Sequence, residues 1–124
     1  MRKIIFVIGL PGSGKTIWAQ NYIKEHPEYT LVDDPKLLDQ IPREGNLIIV
    51  DPMLCRKETL DHAIKLLDSD YECIYFENNP ENCLWNAHRR QEKEPHKYVD
   101  PTIQRLTKIY KIPEGVKPIK VIKY

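Results

Sequence analysis

The octapeptide Gly9-Leu10-Pro11-Gly12-Ser13-Gly14-Lys15-Thr16 constrains this chain more than any other stretch. It satisfies G-x-x-x-x-G-K-[ST], the phosphate-binding loop pattern, at every fixed position. With glycine at ~7% of residues, such a match arises by chance in fewer than about one chain in a hundred of this length. Its surroundings agree. The apolar, β-branched run Lys3-Ile4-Ile5-Phe6-Val7-Ile8 precedes it and reads as a buried strand. Trp18, Ala19, Tyr22 and Ile23 follow at helical spacing, and His26-Pro27 ends that helix. Glycines let the backbone turn tightly and expose successive N–H groups, which act with the positive helix end on phosphate oxygens. Gly9, Pro11, Gly12, Ser13 and Gly14 therefore read as a cradle for nucleotide phosphates. Lys15 reaches the β and γ phosphates, and Thr16 offers its hydroxyl to Mg²⁺.

The rest of the chain alternates strands and helices. Strands are predicted at Tyr29–Val32, Leu47–Val50 and Cys73–Phe76, with a last one near Ile119, Val121 and Tyr124. A short helical piece is expected over Lys36 to Gln40, and a turn over residues 42–46. Leu60, Ala63, Ile64 and Leu67 fall at i, i+3, i+4 and i+7, an amphipathic helix of about three turns. Asn79-Pro80-Glu81 and Asp100-Pro101 each open a further helix, the second with Ile103, Leu106 and Ile109 or Tyr110 inward. This pattern predicts an α/β, P-loop NTPase fold with a mostly parallel sheet of about five strands and helices on both faces. At 124 residues, one domain over 1–124 is expected. Ligands in such sheets lie beyond the carboxyl ends of the strands. The loop, Asp33-Asp34 and Asp51 all follow predicted strand ends, so three separate stretches converge on one rim.

Net charge is +1, which advertises neither nucleic-acid nor membrane binding globally. Three cysteines without C-x-x-C spacing argue against a disulfide partner or a zinc site and suit a reduced, cytoplasmic compartment. No apolar run reaches the ~20 residues that a membrane span needs.

Asp51 ends a four-residue apolar run as a Walker B aspartate does, so Thr16 and Asp51 are the expected Mg²⁺ residues. A kinase acting on an alcohol also needs a carboxylate for the hydroxyl proton, and Asp33 or Asp34 fits that role. Adjacent carboxylates point different ways, so only one serves as base. Arg89 and Arg90, on the helix after the fourth strand, can close over ATP and stabilise charge on the transferring phosphoryl. A GTPase is disfavoured, because neither Asn-Lys-x-Asp nor Asp-x-x-Gly occurs. An ordinary nucleoside-monophosphate kinase is disfavoured too, since Asp51-Pro52-Met53-Leu54-Cys55-Arg56 stands in place of an Asp-Gly-x-Pro-Arg element.

Four pieces together resemble a known family: the loop with Trp18-Ala19, then Asp33-Asp34-Pro35-Lys36, Ile48-Ile49-Val50-Asp51 and Asn86-Ala87-His88-Arg89-Arg90. They look like the phage-type polynucleotide 5′-kinase domain and its small relatives, grouped as AAA_33-like ATP-binding proteins. The resemblance implies that Asp33, first of an Arg-Asp-Asp-x-Arg stretch, is the general base, with Asp34 taking that role if the register slips by one. It implies a phosphate contact for Lys36 and a lid role for Arg89. Val32 and Lys36 stand where the family has arginines, and Trp85 stands at the first arginine of the lid motif. The expected function is ATP- and Mg²⁺-dependent phosphorylation of a hydroxyl. A single-stranded polynucleotide 5′-end is the first acceptor. A small-molecule or nucleoside acceptor, or a nucleotide-binding regulatory module with little catalysis, is the alternative.

Overall fold

The computed structural model describes residues 2–35 and 41–124. The helical piece expected over Lys36 to Gln40, and the phosphate contact of Lys36, lie outside the described residues. Four parallel strands, β1 (Lys3–Ile8), β2 (Tyr29–Asp33), β3 (Asn46–Val50) and β4 (Asp70–Tyr75), form one sheet in the order β2-β3-β1-β4. The helices are α1 (Lys15–Glu25), α2 (Lys57–Leu67), α3 (Pro80–Lys93) and α4 (Asp100–Thr107), with a 3₁₀ turn at Pro52–Cys55.

The two central strands are apolar throughout because both of their faces are covered. Ile4 to Ile8 of β1 have no exposed surface, and Leu47 to Val50 of β3 are buried beside them. The path from β1 through α1 to β2 runs one way across the sheet. The path from β3 through α2 to β4 runs the other way. Right-handed crossovers therefore put α1 and α2 on opposite faces. Ile103, Leu106 and Tyr110 close the core from α4 and the segment after it, leaving Ile109 exposed. The Tyr110 hydroxyl ties this layer to the strand ends by donating to the Phe76 and Ile8 carbonyls. Burial pushes that phenol far above its ordinary range.

Two strand expectations need correction. β4 begins at Asp70, three residues before its apolar run, because it edges the sheet and its first three residues are exposed. The fifth strand is reduced to one parallel bridge between Phe76 and Ile119. Pro118 lacks the N–H that would extend the ladder backwards. Beyond Ile119, side chains rather than a neighbouring strand take the backbone groups. Val121 N–H donates to Glu77 Oε1 at 2.9 Å, and Tyr124 N–H to Asn86 Oδ1 at 2.9 Å.

Candidate active site

The loop after β1 turns through two glycines with positive φ, Gly12 at 83° and Gly14 at 100°. Gly12 is required on a second ground. A Cβ there would stand 2.4 Å from the Cys83 carbonyl oxygen, so the loop is pressed against the backbone of α3. Gly14 precedes α1 without a side-chain cap, leaving the first N–H groups of the helix open to an anion. The Ser13 hydroxyl is buried in the same turn without a partner. This uncapped, glycine-lined cradle fits a phosphate chain.

Lys15 is 6% exposed. Its ammonium donates to the Gly9 and Leu10 carbonyls, both at 2.8 Å, and so is folded onto its own loop. Burial pushes its pKa down to about 8, against the pull of the Asp33 and Asp51 carboxylates. The two thiols beside it, Cys55 and Cys83, are pushed up to about 12 by burial and stay protonated.

Asp33 is the last residue of β2 and is paired in register with Val50 of β3. That position brings its Oδ2 to 3.2 Å from Thr16 Oγ1, which donates to it. Asp34 takes a left-handed conformation (φ 51°) and sends its N–H to the Val50 carbonyl at 2.7 Å. The carboxylates of Asp33 and Asp34 are both exposed at the strand ends. A hydroxyl facing a carboxylate is a hard-oxygen donor set, which fits Mg²⁺.

Asp51 has a different setting. Its Oδ1 accepts the Met53 N–H at 2.8 Å and caps the 3₁₀ turn. Burial raises its pKa, while the Met53 bond opposes the rise. It lies against a smaller hollow with Leu54, His62 and Leu66, not on the wall of the main cavity.

That main cavity, of about 780 Å³, is large enough for a nucleotide. One wall is the loop with Lys15, Thr16, Asp33 and Asp34. Facing it are Arg90 from the last turns of α3, then His96, Lys97 and Tyr98 from the segment before α4. Arg90 has a buried Nε without a partner. Arg89, favoured for the lid role, is exposed and does not line the cavity. One residue along a helix rotates a side chain by about 100°, so only one of the two can face the site. Away from the cavity lining, His88 Nε2 and Asp100 Oδ2 meet at 2.6 Å and join α3 to α4. Tyr124 completes the rim.

Asn86 stood in the sequence only as part of the lid motif, with no role of its own. It is 1% exposed, and its Nδ2 donates to Gly12 O at 2.9 Å and Ile122 O at 2.7 Å. A signal was present: Asn86 shares a helical face with the apolar Cys83 and Ala87. A buried amide there must find partners.

Residues 4–46 match the AAA_33 family, described as an AAA domain. Over 103 residues the chain is 36% identical to an uncharacterized protein, R277, of Acanthamoeba polyphaga mimivirus, covering 73% of this chain and 75% of that protein. The chain belongs to one family with that viral protein. A 45-residue stretch of this chain is also 44% identical to human heterogeneous nuclear ribonucleoprotein U-like protein 2, covering 35% of the chain and 6% of that protein. In fold, 94% of the chain superposes on a protein in the structure of the Pnkp1/Rnl/Hen1 RNA repair complex, with a TM-score of 0.55 at 15% identity. The chain spans about half (49%) of that neighbour's length. No helix among the described residues is long and apolar enough to cross a membrane.

Proposed function

We propose that the chain is a kinase that moves the γ-phosphoryl of ATP to a hydroxyl, with Mg²⁺, and that the first acceptor to consider is a polynucleotide 5′-hydroxyl. The observation that carries this reading is the Thr16–Asp33 contact of 3.2 Å within a cavity of about 780 Å³. It sets a carboxylate at the place where the phosphate loop presents its hydroxyl.

The loop amides and Lys15 hold the donor phosphates, Lys15 by exchanging its carbonyl partners for phosphate oxygens. Thr16 and Asp51 would hold Mg²⁺, which neutralises charge on the β and γ phosphates. Asp33 takes the acceptor's hydroxyl proton, Asp34 being the alternative base. The acceptor oxygen forms the new P–O bond while the bond between the γ-phosphorus and the β-bridging oxygen breaks, leaving ADP. Arg90 stabilises charge on the transferring group, a role supported by its lining the cavity where Arg89 does not.

A nucleic-acid acceptor draws support from two neighbours, one in an RNA repair complex and one named a ribonucleoprotein. His96, Lys97 and Tyr98 on the facing wall offer cationic and aromatic contacts for such a chain. The test is transfer of labelled γ-phosphate from ATP with Mg²⁺ to 5′-hydroxyl DNA and RNA oligonucleotides, beside nucleosides and small alcohols. Label on an oligonucleotide, lost in Lys15→Ala, is the expected result. Label on a small molecule would keep the chemistry and change the acceptor. ATP binding with no labelled product would favour a regulatory module.

A further inference from the structure

Tyr124 has no part in the transfer chemistry, yet it borders the loop that would hold the donor. It lines the main cavity with Gly12, Gly14 and Arg90. Its ring edge lies 3.9 Å from where a Cβ on Gly14 would stand. It is 45% exposed, so part of its ring is open to solvent rather than packed into the core.

Its position is fixed relative to the loop through one side chain. The Asn86 amide donates to Gly12 O at 2.9 Å and accepts the Tyr124 N–H at 2.9 Å. One buried residue therefore sets both the phosphate cradle and the backbone that carries the ring. Arg90 sits four residues, about one turn, further along α3, and its charge reaches the Tyr124 phenol. Burial raises that phenol, and the guanidinium draws it part of the way back.

We propose that Tyr124 is the platform on which the base of the phosphoryl donor stacks. This rests on reading the cavity as a nucleotide site. A nucleotide held by its phosphates on Gly12 to Thr16 carries its base a short distance beyond them, and the exposed ring borders that region. An aromatic plane stacks on any nucleobase, because every base presents a π face. Stacking does not read the hydrogen-bonding edge. The donor site therefore accepts GTP nearly as well as ATP.

The experiment is calorimetric binding of ATP, GTP and inorganic tripolyphosphate, each with Mg²⁺, to the wild type, Tyr124→Ala and Tyr124→Phe. The Asn86 bond uses the Tyr124 backbone and survives both changes. Tyr124→Ala should lose about ten-fold or more in ATP affinity, hold tripolyphosphate as the wild type does, and leave the thermal midpoint in place. Tyr124→Phe should keep ATP. Wild-type ATP and GTP affinities should agree within a few-fold. Unchanged ATP binding in Tyr124→Ala overturns the proposal. Equal losses for ATP and tripolyphosphate overturn it as well, since the ring would then be supporting the loop. If the wild type binds tripolyphosphate but gains nothing from the base, only the stacking inference falls. If it binds neither ligand, the nucleotide reading falls with it.

Discussion

The side-chain amide of Asn86 donates to the carbonyl of Gly12 at 2.9 Å, across 74 positions of sequence, and so pins the phosphate loop to α3. The helix cannot swing away from the loop as a free lid without breaking this bond and the Asn86 bonds to Ile122 and Tyr124. The segment between α3 and α4, exposed over residues 95–98, lies outside this clamp.

Asn86→Ala should therefore damage the loop and the C-terminal segment together. Three backbone groups lose their partner, and orphaned buried groups cost roughly 1–3 kcal/mol apiece where water cannot replace the bond. The expected result is a thermal midpoint lower by several degrees and ATP binding weakened in step, with Asn86→Asp intermediate because it keeps only the acceptor. An unchanged midpoint in calorimetry would show that the clamp carries no stability.

Lys15 gives two pH effects of opposite sign. Its folded pKa is lowered to about 8 from 10.5, so between those values the unfolded chain binds the extra proton. Stability from this residue therefore rises with pH across that window. Phosphate binding needs the charged ammonium and should fall as pH passes about 8. Cys55 and Cys83, raised to about 12, oppose the stability trend above their ordinary value of 9.0, because they stay protonated only when folded. The clean comparison is wild type minus Lys15→Met in chemical denaturation from pH 7 to pH 9. The difference should grow in favour of the wild type as pH rises, while wild-type ATP affinity drops. A flat difference would mean that burial does not penalise the charge.

The two arginines of α3 should separate sharply. Arg90→Ala should slow phosphoryl transfer by about 10²-fold or more, whereas Arg89→Ala should stay within a few-fold of the wild type. Initial rates at saturating ATP decide this. The reverse order would place Arg89 over the site and contradict the observed cavity wall.

Local features were legible in the sequence where one stretch carries its own signal. The β1 run, the loop glycines and the Asn79-Pro80 helix start each act within a few residues, and they stand where the pattern puts them. Asp33 and Thr16 converge because both follow strand or loop ends on one rim of a parallel sheet. Other features depend on distant partners. Nothing near Asn86 announces that Gly12 and Ile122 will be its acceptors. The choice between Arg89 and Arg90 turns on the rotation of one helix. Asp51 matches a metal-binding position in sequence, yet its side chain also caps the 3₁₀ turn at Pro52–Cys55, which no periodicity signals. The fifth strand looked sound from Ile119 and Val121. Pro118 and the side chains of Glu77 and Asn86 take over what a strand ladder would have done.

The most direct test is transfer of labelled γ-phosphate from ATP in the wild type and Asp33→Asn, measured beside their ATP affinities. Asparagine keeps an acceptor for the Thr16 hydroxyl and removes the base. Transfer should fall by about 10²- to 10⁴-fold, with ATP affinity within a few-fold of the wild type. Transfer at the wild-type rate in Asp33→Asn would contradict the assignment of Asp33 as base and pass the role to Asp34. Absence of transfer from the wild type, with ATP bound and the full range of hydroxyl acceptors offered, would contradict the kinase reading itself.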